Sequence, residues 1–294
     1  MCDEMTEAEN ATWMRDKGLN RREFASVGAG AAALSMLPGC TTAGEMSSSA
    51  TASRTVLIDT PAGKADAFFV YPSKGKHPAV IMWPDIAGLR DAYQQMGTRL
   101  AAAGFAVLVV NQYYRSSPAP VLNSLMEWRA PAGAAKLKPM IAAITPAGTI
   151  SDAAAFVGWL DGQKEVDTKK RIGTCGYCMG GPFTVRTAFA NPARVGAAAS
   201  FHGGGLVGDG ADAPNKLLAS TKAAYLIAIA QNDDERAPDE KKVLRAAADA
   251  AGRPAEIEVY PAQHGWCTLD APIYDREQAE KAWGRMLALF AANL

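Results

Sequence analysis

The sequence predicts a doubly wound, mostly parallel α/β sheet flanked by helices and built as one large domain. Apolar runs of strand length alternate along the chain with longer stretches at helical spacing. The later runs, such as FAVLVV at 105–110 and AYLIAIA at 224–230, are apolar at every residue, as expected of parallel strands buried on both faces. At 294 residues, 49% of them hydrophobic, the chain can fill one large core. Its 30 basic and 30 acidic residues cancel, so the charge balance gives no reason to expect a nucleic-acid partner.

The first forty residues differ in character from the rest. NRREF at 20–24 contains the pair Arg21-Arg22, and a small-residue apolar run at 25–37 follows it and meets LPGC. This is the pattern of a twin-arginine export signal, which hands an already folded protein to the export machinery and implies a periplasmic or cell-envelope destination. Leu37-Pro38-Gly39-Cys40 resembles a lipobox, so two outcomes stay open: a lipidated Cys40 that tethers the protein to the membrane, or simple cleavage nearby. Residues 41–54, rich in Ser, Thr and Ala, read as a flexible tether, leaving 55–294 as the folded domain.

Within that domain strands are expected at 55–58, 67–71, 79–83, 105–110, 171–175, 195–201, 223–230 and 257–260. Helices are expected at 91–103, 152–161, 182–190, 238–251 and 275–292. The first two strands are separated by DTPAGKAD at 59–66, a hairpin-length turn, so the sheet should start antiparallel and become parallel. Between 116 and 149 five prolines, Pro118, Pro120, Pro131, Pro139 and Pro146, break any long helix, and this stretch is expected to be an irregular lid or wall over a substrate site. Tyr113, Tyr114 and Trp128 are candidates for lining its entrance.

The stretch RIGTCGYCMGGPF at 171–183 carries the chemistry and has two readings. As Cys175-x-x-Cys178 it is a redox dithiol; as Gly176-x-Cys178-x-Gly180 it is a nucleophile on a tight turn between a strand and a helix. The second suits the expected layout, because flanking glycines make room for a strained turn and the N-terminus of the following helix favours a thiolate. The first would need two Cα atoms closer than an extended strand end allows, beyond the roughly 7 Å limit for a disulfide. With Cys2 and Cys40 set aside, Cys175, Cys178 and Cys267 remain, an odd number that leaves at least one thiol free.

A nucleophile elbow requires an acid and then a histidine further along the chain. QNDDER supplies Asp233 and Asp234 just after the strand at 223–230, and YPAQHGWC supplies His264 after the strand at 257–260. Asp233 is the better candidate because it lies nearer the strand end, which makes Asp234 a solvated loop charge. Of the other histidines, His77 reads as a surface loop residue and His202, at a strand end beside the elbow strand, as a pocket residue. No cofactor is implied, and no group of His, Cys or acidic residues has metal-ligand spacing.

With Gly176-Tyr177-Cys178-Met179-Gly180-Gly181, a downstream aspartate and His264-Gly265-Trp266 together, the chain resembles the dienelactone hydrolase family over roughly 56–294. That family is the cysteine-nucleophile branch of the α/β-hydrolase fold, and the resemblance implies a Cys178–His264–Asp233 triad cleaving small-molecule esters or lactones. The likeness extends through residues 79–115. There it implies an acidic residue near the thiol at Asp85, oxyanion-hole backbone nitrogens at Ile86 and Met179, and a carboxylate-gripping cation at Arg115. The family more often has Glu at position 85 and Asp at position 111, where this chain has Asn111. Two other function classes compete: a thiol redox or sensor protein using Cys175 and Cys178, and a non-catalytic envelope binding protein on a hydrolase fold.

Overall fold

Eight strands form a single sheet: β1 (Thr51–Thr60), β2 (Gly63–Pro72), β3 (Ala79–Trp83), β4 (Ala106–Val110), β5 (Ile172–Tyr177), β6 (Val195–Phe201), β7 (Ala224–Ala230) and β8 (Ala255–Tyr260). Their order across the sheet is β1-β2-β4-β3-β5-β6-β7-β8. The computed structural model describes residues 50–294 and, ahead of them, Glu9, Asn10 and Thr12. The twin-arginine pair, the apolar run and Cys40 lie outside the described residues.

β1 pairs antiparallel with β2, and β2 antiparallel with β4, while every pair from β4 and β3 onward to β7 and β8 is parallel. The first hairpin turns through Pro61 and Ala62 into Gly63, whose φ of 129° only glycine adopts without strain. β1 starts at Thr51, four residues before the expected strand, so 51–54 belong to the sheet and not to a tether. The register explains it: Thr51 pairs with Pro72, and Arg54 donates to Glu165 at 2.9 Å and to Gln163 at 3.0 Å.

Alternate residues along the strands serve two cores, as the period of two demands. On one face Val107 and Val109 pack against helix α1 (Asp91–Ala102) through Tyr93, Met96 and Leu100, and Leu226 and Ala228 of β7 continue the same core beneath the C-terminal helix (Arg276–Asn293). On the other face Leu108 and Val110 meet Phe156 and Leu160 of α4 (Pro146–Asp161) and Phe183 of α5 (Gly181–Ala190).

The proline-rich stretch is more ordered than the sequence suggests. It contains α2 (Leu125–Trp128), α3 (Pro131–Ala142) and the first turn of α4. Pro131 and Pro146 sit at helix starts, where the missing N–H has no intrahelical partner to lose, so two of the five expected helix breakers are helix initiators. Within residues 50–294 the remaining α-helices are α6 (Pro214–Leu217), α7 (Gln231–Arg236), α8 (Glu240–Ala250) and α9 (Arg276–Asn293). The loops after β3, β5, β6, β7 and β8 all open at the C-terminal edge of the parallel sheet, the edge where such sheets assemble their sites.

Candidate active site

β5 ends at Tyr177, α5 begins at Gly181, and Cys178–Gly180 forms a single 3-10 turn between them. Cys178 is held at φ 51°, a left-handed conformation that a non-glycine residue occupies only when its surroundings impose it. The turn closes because its glycines have no side chains. A Cβ on Gly176 would lie 2.1 Å from the Gly180 carbonyl oxygen, and one on Gly180 would lie 2.4 Å from the Trp83 carbonyl oxygen. The thiol that results is 1% exposed and sits at the N-terminal end of α5.

His264, in the loop after β8, donates from Nδ1 to Asp233 Oδ2 at 2.6 Å. Asp234 faces elsewhere and accepts from Lys241 Nζ at 2.6 Å. The His264 loop is pinned by its own N–H, which donates to Asn232 Oδ1 at 2.8 Å. Burial works against the charged imidazole, yet the Asp233 carboxylate and the neighbouring Cys178 thiol overcome it and raise the His264 pKa to about 10. Burial opposes ionisation of Asp233 as well, but His264 holds its carboxyl below the ordinary carboxylate range. Both shifts describe one buried imidazolium–carboxylate pair next to the thiol.

His202 closes the other side of Cys178. It stands at the end of β6 at φ 40°, with its N–H donating to the Ala228 carbonyl at 2.8 Å. The ring is wedged 4.8 Å from the His264 ring and 5.1 Å from Trp266, centroid to centroid. Neither ring nitrogen has a hydrogen-bond partner at good geometry, although the residue is 1% exposed. Burial lowers its pKa, with the adjacent Cys178 thiol pulling the other way, so the imidazole is neutral near pH 7.

The loop after β3 brings Asp85 and Ile86 to the same end of the sheet. Asp85 lines the cavity of Cys178, but both its oxygens accept from Arg90, at 2.8 and 3.0 Å, and Oδ1 also accepts from the Ala87 N–H. Tyr113 ties the two oxyanion candidates together: its hydroxyl donates to the Ile86 carbonyl at 2.7 Å and approaches the Met179 sulfur at 3.8 Å. The structure does not bring Arg115 to the thiol. Its guanidinium forks onto Asp152 of α4 at 2.6 and 2.8 Å, a pairing that sequence distance conceals. Cys175 is likewise absent from the site: its side chain lies in the core beside Met82 and Tyr177, where burial pushes the thiol pKa up, and Cys267 is buried on the same face.

Six cavity residues went unseen in the sequence: Leu125 within α2, Arg129 after it, Asn10 from the N-terminal segment, and Thr268, Pro272 and Ile273 beyond the His264 turn. Only the proline-rich stretch hinted at the first two, as a wall over the site. The cavity around Cys178, His202 and His264 measures about 10 Å3, room for about one water. A roomier hollow of about 430 Å3 beside Asp66, Arg90 and Asn123 contains no nucleophile. The candidate nucleophile lies in the small cavity.

The model of the dienelactone hydrolase family matches residues 65–294. The chain belongs to the dienelactone hydrolase family. It is accordingly an enzyme of the ester- and lactone-cleaving class. Among its relatives, a "Putative carboxymethylenebutenolidase" of Methylorubrum extorquens is 27% identical over 237 residues, covering 79% of this chain and 78% of that one. One of the same name in Escherichia coli K12 is 26% identical over 223 residues, covering 74% and 78%. Among solved structures, a "Putative Dienelactone Hydrolase" from Klebsiella pneumoniae superposes with a TM-score of 0.70 at 25% identity, over 82% of this chain and 99% of that one.

Proposed function

We propose that this member of the family hydrolyses small-molecule esters or lactones with Cys178 as nucleophile, His264 as acid and base, and Asp233 as its orienting carboxylate. The observation that carries the reading is the 2.6 Å bond from His264 Nδ1 to Asp233 beside a thiol held at φ 51° on the turn into α5. A buried imidazolium next to a thiol favours the thiolate form of Cys178, which is the attacking species.

The thiolate adds to the carbonyl carbon, and the oxygen takes up negative charge between the backbone N–H groups of Met179 and Ile86. Collapse breaks the carbon–oxygen ester bond, and the leaving alkoxide takes the proton of His264. Neutral His264 then removes a proton from water as the water oxygen attacks the thioester. The carbon–sulfur bond breaks, Cys178 leaves as thiolate, and His264 is again protonated. Losing one oxyanion donor typically costs about 10² to 10³ in rate.

His202 has a place in the second half of this cycle. A thioester turns over only if water is held at its carbonyl, and His202 offers a neutral, rigidly packed imidazole inside the cavity beside the Cys178 thiol. Asp85 acts through Arg90 and Ala87 as a brace for the Ile86 loop. Arg115, tied to Asp152, buttresses α4 and has no part in gripping substrate.

The test is turnover of p-nitrophenyl acetate and a panel of small lactones by the wild type, Cys178→Ala and Cys175→Ala. Loss in Cys178→Ala alone supports the triad; equal loss in Cys175→Ala, or none in either, removes it. We also infer that the enzyme is exported through the twin-arginine route. Cell fractionation should find it in the envelope, and an Arg21→Lys/Arg22→Lys chain should stay in the cytoplasm.

A further inference from the structure

Ahead of the domain, two described side chains are bound at the site. Glu9 Oε2 accepts from Asn232 Nδ2 at 3.0 Å and from an Arg236 guanidinium nitrogen at 2.7 Å. Asn10 Nδ2 donates to the main-chain carbonyl of His264 at 3.1 Å, and Asn10 is 2% exposed. Their partners belong to the machinery itself. Asn232 holds the His264 N–H through its other side-chain atom, and Arg236 lies 3.7 Å from the Asp233 carboxylate. Asn10 forms part of the wall of the Cys178 cavity, and the space left there is too small for an acyl substrate.

We propose that Asn232, Arg236 and the His264 carbonyl form a binding site for the chain's own Glu9 and Asn10, and that this segment, while attached, masks the Cys178 thiol. The chemistry of the cradle matches its occupant. A guanidinium and an amide N–H meet a carboxylate, and a carbonyl meets the amide that follows it. Arg236 has a second duty, because it stands between the Glu9 and Asp233 carboxylates and keeps two negative charges from facing each other uncompensated. The contact also gains from being intramolecular, since a tethered segment competes at a high effective concentration against a dilute substrate.

The consequence is latency. A protein exported already folded would have a complete triad before it leaves the cytoplasm, and the segment ahead of Arg21-Arg22 would cap that triad until it is removed. That consequence rests on the export reading, whereas the masking itself rests only on the contacts around His264.

The experiment measures carboxamidomethylation of Cys178 by iodoacetamide, located by peptide fragmentation, in three forms of the full chain. One is intact. One carries a specific protease site between Met46 and Ser47, is cut after folding, and is freed of the released segment by gel filtration. One is the uncut Glu9→Lys/Asn10→Ala double substitution, which removes the charged contact and the amide contact together. The intact chain should react slowest, and each of the others about tenfold or more faster, the usual weight of a charge-assisted hydrogen bond. Equal rates in all three forms would overturn the proposal. Ester turnover measured in parallel separates this idea from the triad: forms that differ in alkylation but turn over nothing leave the masking standing and the hydrolase mechanism refuted.

Discussion

His264 shows how much of this site depends on one bond. Its pKa is raised to about 10 by Asp233 and the Cys178 thiol against the cost of burial, so the protonated ring that the proposed mechanism uses to protonate the leaving alkoxide persists well above neutral pH. The alkaline limb of kcat/KM should therefore lie near 10. Asp233→Asn removes the carboxylate's pull and should shift that limb towards the ordinary histidine value of about 6.5 while lowering the maximum rate; an unmoved limb would deny His264 the role. His202 calls for a different measurement. If it positions the deacylating water, His202→Ala should leave the acylation burst intact and slow steady-state turnover by about tenfold or more, with His202→Gln restoring part of it. A loss confined to the burst would place His202 in acylation instead. At this scale Cys178, Asp233 and His264 were legible because chain order and the strand-turn-helix pattern constrain them. The partner of Arg115 was not, because nothing local links it to Asp152, and neither was Asn10, whose contact with His264 spans 254 residues.

The elbow is an element whose geometry is fixed by what its residues lack. Alanine at position 176 would put a methyl carbon 2.1 Å from the Gly180 carbonyl oxygen, and that oxygen is backbone while the methyl is fixed by its own Cα, so the turn has to open. Gly176→Ala should lower stability by about 1–3 kcal/mol, the usual cost of overpacking. It should also abolish turnover by moving Cys178 away from His264. Urea unfolding and an ester assay on the same preparation check both, and a fully active, equally stable variant would show that the loop relaxes by another route. All eight strands were readable from their apolar runs, whereas the order of the proline-rich stretch was not. Proline is tolerated at a helix's first turn, and local composition does not reveal that Pro131 and Pro146 fall at the first position of α3 and α4, nor that α3 runs on through Pro139 in its interior. Leu125 on α2 and Arg129 just after it are walls of the cavity, and its contents follow from tertiary packing instead of any motif.

Across the whole molecule the His264–Asp233 pair also couples folding to pH. The folded-state pKa of His264 lies above its unfolded value, so the stabilisation from its pairing is complete below about pH 6.5 and is lost as pH rises through about 10. Asp233 behaves in the opposite sense. Its folded-state pKa is lowered, so its contribution is present above the ordinary carboxylate range and is lost as pH falls through that range to the lowered value. The two together make the pair most stabilising from about pH 5 to 6.5 and progressively weaker on the alkaline side. This is unusual for an active site, where a buried charge is more often a burden on the fold; here each partner leaves the other uncompensated if it is removed. His264→Gln should therefore both destabilise the domain and flatten the decline of its urea midpoint between pH 7 and 10. If the decline keeps its wild-type slope in that variant, the alkaline loss of stability comes from other groups, and His264 is not held as an imidazolium in the folded enzyme.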